Sequence, residues 1–468
     1  MRFPKTFVED IPRRKFLELG LKGGLALTAT PQLLTQLLAG QGTSASPVKV
    51  GADSSLLNRT ISKALEKGGD FAEVYIEKRI SRTILMEESK FKSAVFGISQ
   101  GAGVRVIAGE KTGYAYTDEI ADDKLLRAAE VASTIARGSR ASKPVDIRPA
   151  RRKSFITIKL PLGEVAEAKR LDIIRRAHQA ALDYDARIKM ASINYYEEVR
   201  GRTIANSEGV LLSDELPLLF FVVQTLSVGN NTQHLGRERL SRHSGFEMFE
   251  EVTPEQVARA CARESIAMLE AKDAPAGKLD VVMQNGWGGV LVHEAVGHPL
   301  EADNIAKKIG VFTGKLGQKV ANPVFTMVDD GGHPQLPGTE SFRNIPIPRM
   351  TNTFIDNGKE RPEDILASTK SGLYVQSLSG GSVNPITGVF NFTCREAYLI
   401  ENGKKTSPVK GATLIGNCLD IISNIDAVGN DLDFGPGICG KGQSAEVSAG
   451  QPTVRIRGIN VGGTRAAR

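Results

Sequence analysis

Two histidines in the second half of the chain stand five positions apart, and this spacing constrains the local fold more than any other feature of the sequence. They are His293 and His298 in the stretch VLVHEAVGHPLEAD, and Glu294 directly follows the first of them. On a regular helix, side chains four positions apart lie on one face, which is how H-E-x-x-H motifs hold a zinc ion. Five positions correspond to about 500° of rotation, so an undistorted helix turns the two imidazoles about 140° apart. One ion can contact both histidines only if the helix is distorted.

A single-turn π-bulge would accommodate the additional residue and bring positions i and i+5 onto one face. Gly297 lowers the steric cost of that distortion, and Pro299 disfavours a regular helix beyond His298. The spacing therefore predicts a metal site on a π-bulge, with Glu294 placed to accept a proton from an attacking water molecule. From this stretch alone, the alternative is a structural histidine pair at a helix end, hydrogen-bonded to the backbone.

A hydrolytic zinc site needs a third protein ligand and one open position. Glu301 and Asp303 are candidates close in sequence, and Cys439 in the stretch GPGICGKGQ is a distant one. The glycines around Cys439 would let a thiolate approach a metal closely, and two histidines with a cysteine suit the softness of zinc. Spacing alone does not choose among the three.

The N-terminus resembles a twin-arginine export signal. Arg13 and Arg14 stand together in PRRKFLELGLKGGLALTA, ahead of a short, weakly apolar stretch rich in glycine and alanine. We therefore expect residues 1–46 to be a signal region and the protein to be periplasmic or extracellular. The alternative is an amphipathic helix at the start of a cytoplasmic protein. No stable membrane span is expected, because Lys22 interrupts an apolar run far shorter than the ~20 residues required.

Charge and cysteine content exclude two classes of protein. The formal charge of +7 comes partly from the first 22 residues, and no basic stripe is interleaved with aromatic residues. We therefore expect no nucleic-acid partner. The four cysteines are too few and too scattered for a disulfide framework.

Hydrophobic periodicity predicts an α+β fold, with a mixed α/β N-terminal half and a mostly antiparallel β C-terminal half. The segments FAEVYIEKR and SRTILMEE alternate as two strands, and from Leu279 onward only the motif segment is expected to be helical. Helices are predicted over about 54–67, 122–137, 163–184 and 254–271. After the signal region, the predicted domains are an N-terminal α/β domain (47–147), a middle α+β domain (148–250) and a C-terminal domain (251–468).

Several long stretches carry a shared pattern from about Ser54 to Thr464, among them HEAVGHPLEAD, GAGVRVIAGEKTGYAYTDE, IANSEG, IPRMTNTFIDNG and the long run that begins SGLYVQSLSGGSVNPITGVF. Together they strongly resemble the TldD/PmbA family of metallopeptidases, also called modulator of DNA gyrase. The resemblance implies a zinc ion held by His293, His298 and Cys439, with Glu294 as the catalytic base. It also implies a catalytic member of the family, because partner members lack the histidine motif.

The same resemblance implies hydrolysis of flexible or unfolded peptides by a homodimer, or by a heterodimer with a PmbA-type subunit. Peptides would bind in a cleft by β-strand addition, and Gly380 and Gly381 in SLSGGSVN would let the peptide backbone come close. Without the family, we would interpret these glycines as a turn between strands. The alternative function is that of a non-catalytic peptide-binding subunit of such a complex.

Two stretches depart from the family pattern. The region between Gly332 and Ile345 is several tens of residues shorter than expected, which predicts that strands near the cleft are missing. CGKGQ is one residue shorter than the expected pattern, which predicts a reshaped loop after Cys439.

Overall fold

The computed structural model describes residues 52–138, 146–149, 156–229, 232–331 and 340–463, together with the backbone of 465–466. The proposed signal region and most of the shortened stretch between Gly332 and Ile345 lie outside these residues. The described helices and strands confirm the α+β class, with largely antiparallel sheets. Among the described helices, none is both long and apolar enough to cross a membrane.

The N-terminal unit is a three-stranded antiparallel sheet covered by two helices, whose apolar faces form one core with it. Its elements are α1 (Ser54–Leu65), β1 (Phe71–Glu87), β2 (Lys90–Ala108), β3 (Lys111–Thr117) and α2 (Asp122–Ile135). The expectation of two separate strands at the start of this sheet is wrong. They form the single strand β1, because β2 pairs with it from one end to the other, with one β-bulge after Leu85.

The middle unit continues the same sheet. Its elements are β4 (Arg148–Pro149), α3 (Glu167–Leu182), β5 (Ile188–Asn206), β6 (Val210–Gly229), β7 (Thr232–Arg242), α4 (Met248–Glu251) and α5 (Pro254–Leu269). Because β1 pairs with β5, one seven-stranded sheet runs through both units in the order β3-β2-β1-β5-β6-β4, with β7 also on β6. Helix α5 begins with a capping box between Thr253 and Gln256, and Cys261 on its buried face belongs to the core of the middle unit. The predicted boundary at residue 251 thus lies ahead of a helix that packs with the middle unit, and not with the C-terminal unit.

The C-terminal unit contains two sheets. The larger has the order β12-β9-β19-β15-β13-β14-β8, with β16 and β20 attached, and the smaller has the order β10-β11-β18-β17. The strands are β8 (Lys272–Asp273), β9 (Pro275–Met283), β10 (Met327–Asp329), β11 (Asn352–Ile355), β12 (Ser371–Val383), β13 (Val389–Glu401), β14 (Lys404–Lys410), β15 (Thr413–Asn417), β16 (Ile425–Val428), β17 (Asp433–Gly440), β18 (Ser444–Gln451), β19 (Val454–Gly462) and β20 (Arg465–Ala466).

The helical segments of this unit are short. They are a 3₁₀ turn (Trp287–Gly289), α6 (Val290–Val292), a π-helical turn (His293–Gly297), α7 (His298–Leu300), α8 (Ala302–Ala306), α9 (Pro362–Ala367) and α10 (Cys418–Asn424). The expectation that only the motif segment is helical is therefore wrong. Helices α9 and α10 have six and seven residues, too few for a 3.6-residue apolar repeat to become visible.

The C-terminal unit contacts the shared sheet of the first two units at several polar points. The Tyr114 hydroxyl donates to the carbonyl of Phe342 at 2.7 Å, and Arg263 on α5 makes a bidentate ion pair with Glu396 on β13 at 2.8 and 3.0 Å. The first contact joins the N-terminal unit to the C-terminal unit, and the second joins the middle unit to it.

Candidate metal centre

The motif segment forms the π-bulge that its spacing predicts. A regular turn, α6, leads into the π-helical turn from His293 to Gly297, and helical geometry resumes at His298. The extra residue is absorbed there, so both imidazoles face the same side, with their ring centroids 5.1 Å apart. The prediction of a π-bulge from the sequence is confirmed.

Gly297 is present in this bulge for a packing reason. Its φ of −61° and ψ of −59° are ordinary right-handed helical values, so its backbone does not require glycine. A Cβ at this position would lie 1.7 Å from the Sδ atom of Met350, which is buried. The interpretation that Gly297 eases backbone distortion is therefore wrong: the glycine makes room for a neighbouring side chain.

Apolar side chains hold the bulge between the two sheets of the C-terminal unit. The members of the segment that enter the main core of this unit are Val290, Leu291, Val292, Ala295 and Val296. Because the bulge is anchored on this side, its two histidines and Glu294 face the opposite, polar side.

Cys439 reaches the histidines from the distant β17–β18 hairpin. Its Sγ atom lies 3.3 Å from Nε2 of His293 and 3.2 Å from Nε2 of His298. The turn of the hairpin contains Gly442 at a φ of +70°, a conformation that favours glycine. The Arg349 guanidinium donates to the carbonyls of Cys439 and Gln443 at 2.7 and 2.8 Å, one on each side of this turn. The short CGKGQ loop thus still carries the thiol to the motif.

Glu301 and Asp303 do not lie at the Nε2 atoms of the two histidines, where a third ligand would be needed. The Glu301 carboxylate lies 3.1 Å from Nδ1 of His298, on the opposite edge of the ring from the nitrogen that faces Cys439. The Lys441 ammonium group forms ion pairs with Glu301 at 2.8 Å and with Asp303 at 2.7 Å. The structure therefore brings Cys439 to the two Nε2 atoms and places both carboxylates around Lys441.

Thr353 lies at Nδ1 of His293, as Glu301 does at Nδ1 of His298. The Nδ1 atom of His293 lies 3.3 Å from the Thr353 hydroxyl, which donates to a carboxylate oxygen of Asp329 at 3.1 Å. Both histidines are thus oriented from the Nδ1 side, which leaves the two Nε2 atoms directed at one point. This is the arrangement that fixes tautomer and ring orientation in metal-binding histidines.

Burial and neighbouring charges shift the titration of these groups. Burial, together with the positive charges of His298 and Arg349, lowers the pKa of His293 to about 3, so its imidazole is neutral, the form that binds a metal. Burial raises the pKa of Glu294 above its usual range, although the charge of His298 opposes this. A raised pKa makes Glu294 a better proton acceptor near neutral pH than an ordinary carboxylate.

Glu294 stands at the centre without occupying a ligand position. Its carboxylate oxygen lies 3.6 Å from Nε2 of His298, next to the point at which the two imidazoles and the thiol converge. It also lines a cleft of about 590 Å³ that opens in front of His293 and Cys439. A molecule in this cleft would therefore meet both the converging donors and the carboxylate.

Gly380 and Gly381 line the same cleft, and they lie within strand β12, where the register with β13 is irregular, and not in a turn. A Cβ on Gly380 would meet open space, although its φ of +150° favours glycine. A Cβ on Gly381 would approach the ring of Phe392 to 2.4 Å, so this glycine is explained by packing. Of the two, Gly380 is the one that presents bare backbone to the cleft.

The donor set fits a zinc ion. The ligand atoms of His293, His298 and Cys439 all lie within 4.8 Å of one another. Zinc–nitrogen and zinc–sulfur bonds of about 2.0–2.3 Å place ligand atoms around one ion roughly 3–4 Å apart, which agrees with the two sulfur–nitrogen separations. These three side chains would hold the ion, and a zinc site with three protein ligands would keep one position for water or substrate.

Several residues of this centre were not identified from the sequence as functional candidates. They are Asp329, Arg349, Thr353 and Lys441, which orient or brace the converging groups, and Arg237, Arg239 and Trp287, which line the cleft. Arg349 and Thr353 lie in IPRMTNTFIDNG, one of the stretches that carry the family resemblance, so a signal was present for them. The two arginines of β7 lie in the middle unit and had no sequence signal that connects them with the motif.

Three family models together match nearly the whole described chain. The model of PmbA/TldA metallopeptidase domain 1 matches residues 72–136, and that of the central domain matches residues 160–269. The model of the PmbA/TldA metallopeptidase C-terminal domain matches in two pieces, residues 276–344 and 337–463. The division between the two pieces falls in the stretch that is shorter than the family pattern.

Sequence comparison with individual proteins leads to the same family. A metalloprotease TldD homolog from Haemophilus influenzae is 34% identical over 455 residues, covering 84% of this chain and 93% of that protein. A zinc metalloprotease TldD homolog from Saccharolobus solfataricus is 25% identical over 450 residues, covering 85% of this chain and 96% of that protein.

Solved structures share the fold. A crystal structure described as a candidate modulator of a DNA gyrase, from Thermotoga maritima, superposes with a TM-score of 0.68 at 18% identity, covering 87% of this chain and 99% of that one. TldE from Thermococcus kodakarensis superposes with a TM-score of 0.66 at 15% identity, with the same coverage of both chains. At these identities the likeness concerns the fold alone.

Proposed function

Because this chain belongs to the PmbA/TldD metallopeptidase family, we propose that it is a zinc-dependent peptidase that hydrolyses flexible or unfolded peptides. The observation that carries this proposal is the convergence of His293, His298 and Cys439 beside Glu294 at an open cleft. Zinc is the metal that this donor set favours, and it is the metal named for the Saccharolobus solfataricus relative.

The chemistry divides between the metal and the carboxylate. When zinc is bound, it supplies the positive charge that polarises a peptide carbonyl and increases the acidity of a water molecule. Glu294 accepts the proton of the attacking water at its carboxylate and then delivers it to the amine that leaves. Glu301 and Thr353 keep the two imidazole rings in the orientation that this requires.

The cleft supports binding of extended peptides through their main chain. One wall is β17, which within the described residues pairs only with β18 and is therefore an edge strand. The other wall is the part of β12 from Gln376 to Gly381, whose described strand partner is β13 alone. A peptide strand between the two edges would pair its backbone groups with both, and Gly380 leaves room for its approach. Recognition through the main chain would admit many sequences.

A subunit that binds peptides without cleaving them is the second candidate. The shortened stretch between Gly332 and Ile345 favours it, since the family pattern has more residues there. The presence of Glu294 beside His293, His298 and Cys439 argues against a non-catalytic subunit, since a protein that only binds peptides has no use for a catalytic base. We propose assembly as a homodimer or with a PmbA-type subunit, as membership of this family implies.

The test of the proposed function combines metal content with hydrolysis. We expect purified protein to contain about one zinc ion per chain and to degrade denatured casein but not the folded domain of a stable globular protein. Activity should disappear after treatment with a chelator and return on addition of zinc. Casein hydrolysis that persists in metal-free protein would contradict the proposal, and zinc binding without hydrolysis would favour the non-catalytic subunit.

We also propose export by the twin-arginine route, on the strength of Arg13 and Arg14 ahead of a weakly apolar stretch. The double variant Arg13→Lys, Arg14→Lys keeps the charge but removes the guanidinium pair. We expect it to retain the precursor in the cytoplasm, as measured by cell fractionation and immunoblotting. Arg2→Lys is the matched control and should not change export. Normal amounts of the double variant outside the cytoplasm would contradict the proposed route.

A further inference from the structure

Two arginines of the middle unit enter the wall of the cleft from one strand. Arg237 and Arg239 are two positions apart on β7, so their side chains leave the same face of the sheet. Both line the cleft that also contains His293 and Glu294. They thus bring two guanidinium groups to the candidate active site from outside the C-terminal unit.

Neither guanidinium has a carboxylate partner within the described part of the chain. Arg239 donates to the carbonyl of Pro436 on β17 and stacks over the indole of Trp287, with its guanidinium carbon 5.2 Å from the ring centroid. Arg237 is exposed, and its guanidinium makes no hydrogen bond or ion pair with any described residue. Arg239 is partly buried, and a partly buried cation without a carboxylate partner is a costly arrangement unless an anion binds beside it.

None of the described acidic side chains near the cleft forms an ion pair with Arg237 or Arg239. Glu396 forms the bidentate ion pair with Arg263, while Glu264 and Glu238 lie 3.2 and 3.7 Å from the Arg395 guanidinium. Glu294 faces His298, and Asp433 accepts from the backbone N–H of Phe434 at 2.8 Å. These carboxylates therefore leave the two β7 guanidinium groups available to a ligand.

We propose that Arg237 and Arg239 bind a carboxylate of the substrate peptide, so that the enzyme prefers peptides with a carboxylate close to the cleavage site. This inference rests on the proposed peptidase function and adds a specificity to it. The planar guanidinium presents paired N–H donors that match the two oxygens of a carboxylate. The carboxylate is either an aspartate or glutamate side chain or the C-terminal carboxylate of the peptide, since both offer the same chemistry.

Binding can be measured without turnover by using a built-in reporter. Trp287 is the single tryptophan of the sequence, and it lies directly under Arg239. In the zinc-loaded Glu294→Gln protein, a peptide without tryptophan that engages Arg239 should change the emission of Trp287. Two matched peptide pairs separate the sources of the carboxylate: glutamate against glutamine at one position, and a free C-terminal acid against an amide.

We expect one of the two pairs to show about tenfold tighter binding for the member with the carboxylate, which is the size of one charge-assisted hydrogen-bond contact. Arg237→Glu, made in the same Glu294→Gln background, should remove or reverse that preference. Arg259→Glu is the matched control, because Arg259 is exposed on α5, makes no described ion pair and does not line the cleft. It should keep the preference.

Equal affinities within both pairs would overturn the inference, as would equal effects of Arg237→Glu and Arg259→Glu or the absence of any emission change. Hydrolysis plays no part in this measurement, so the two proposals fail separately. If the protein prefers the peptide with the carboxylate but cleaves no peptide, the peptidase function is contradicted and the carboxylate site is supported. If it cleaves peptides without any such preference, the carboxylate site is contradicted and the peptidase function is supported.

Discussion

Glu294→Gln is expected to lower peptide hydrolysis by about 10²–10⁴-fold, the range that loss of a positioned general base produces. The glutamine side chain has the same shape but cannot accept the proton of the attacking water. The zinc content should stay close to that of the wild-type protein, because Glu294 lies 3.6 Å from His298 and outside the converging His293, His298 and Cys439 set. Casein hydrolysis and zinc analysis on the same preparation measure both quantities.

The matched control for this substitution is Asp433→Asn. Asp433 is another carboxylate that lines the cleft, but it lies at the start of β17, six positions before Cys439. We expect this variant to hydrolyse casein at a rate close to that of the wild-type protein. A Glu294→Gln protein that loses its zinc but regains turnover when zinc is added would show that Glu294 serves as a ligand and not as the base.

Cys439→Ala is expected to cause the largest loss of metal. The thiol supplies one of three converging donors, and its removal leaves the two imidazoles to hold the ion alone. Zinc affinity should fall by more than the roughly 10–100-fold that loss of an outer partner of a ligand costs. We expect the variant to lose its zinc in dialysis against a chelator that leaves the wild-type protein loaded, and to lose activity with it.

Two further variants test whether the loss of zinc is specific to Cys439 as a ligand. Cys418→Ala removes a buried thiol on α10 of the same unit that is not among the converging donors, and it should retain zinc and activity. Glu301→Gln disturbs the outer edge of His298, so it should lower zinc affinity by about 10–100-fold while zinc still binds at higher concentration. A Cys439→Ala protein that keeps its zinc, beside a Glu301→Gln protein that cannot bind it, would assign the third ligand to the carboxylate.

The histidine motif shows how much a short sequence can determine. The spacing of His293 and His298 requires a π-bulge if both are to face one point, and this follows from the 100° rotation per residue of the helix alone. The same local argument places Glu294 beside the first histidine. The alternation of apolar and polar residues likewise predicts the α+β class, because strand and helix periods are properties of consecutive residues.

Other features depend on contacts between distant parts of the chain, which no local pattern encodes. The choice of Cys439 over Glu301 and Asp303 was implied by the family resemblance. In the structure the β17–β18 hairpin brings the Cys439 thiol, 141 residues from His298 in the chain, to the Nε2 atom of that histidine, while Lys441 engages both carboxylates. Gly297 was singled out for its backbone freedom, but the structure explains it by the Sδ atom of Met350, a neighbour through space.

The same distinction applies to the larger architecture. The sequence by itself determined the four long helices of the first two units, α1, α2, α3 and α5, because their apolar repeats extend over several turns, but it divided β1 into two strands. Only the tertiary structure shows that β1 pairs with β5, so that both units share one sheet, and that β7 brings Arg237 and Arg239 into a cleft built mainly by the C-terminal unit. Strand pairing and domain contacts join residues more than a hundred positions apart, and the periodicity of a single segment contains no information about its distant partner.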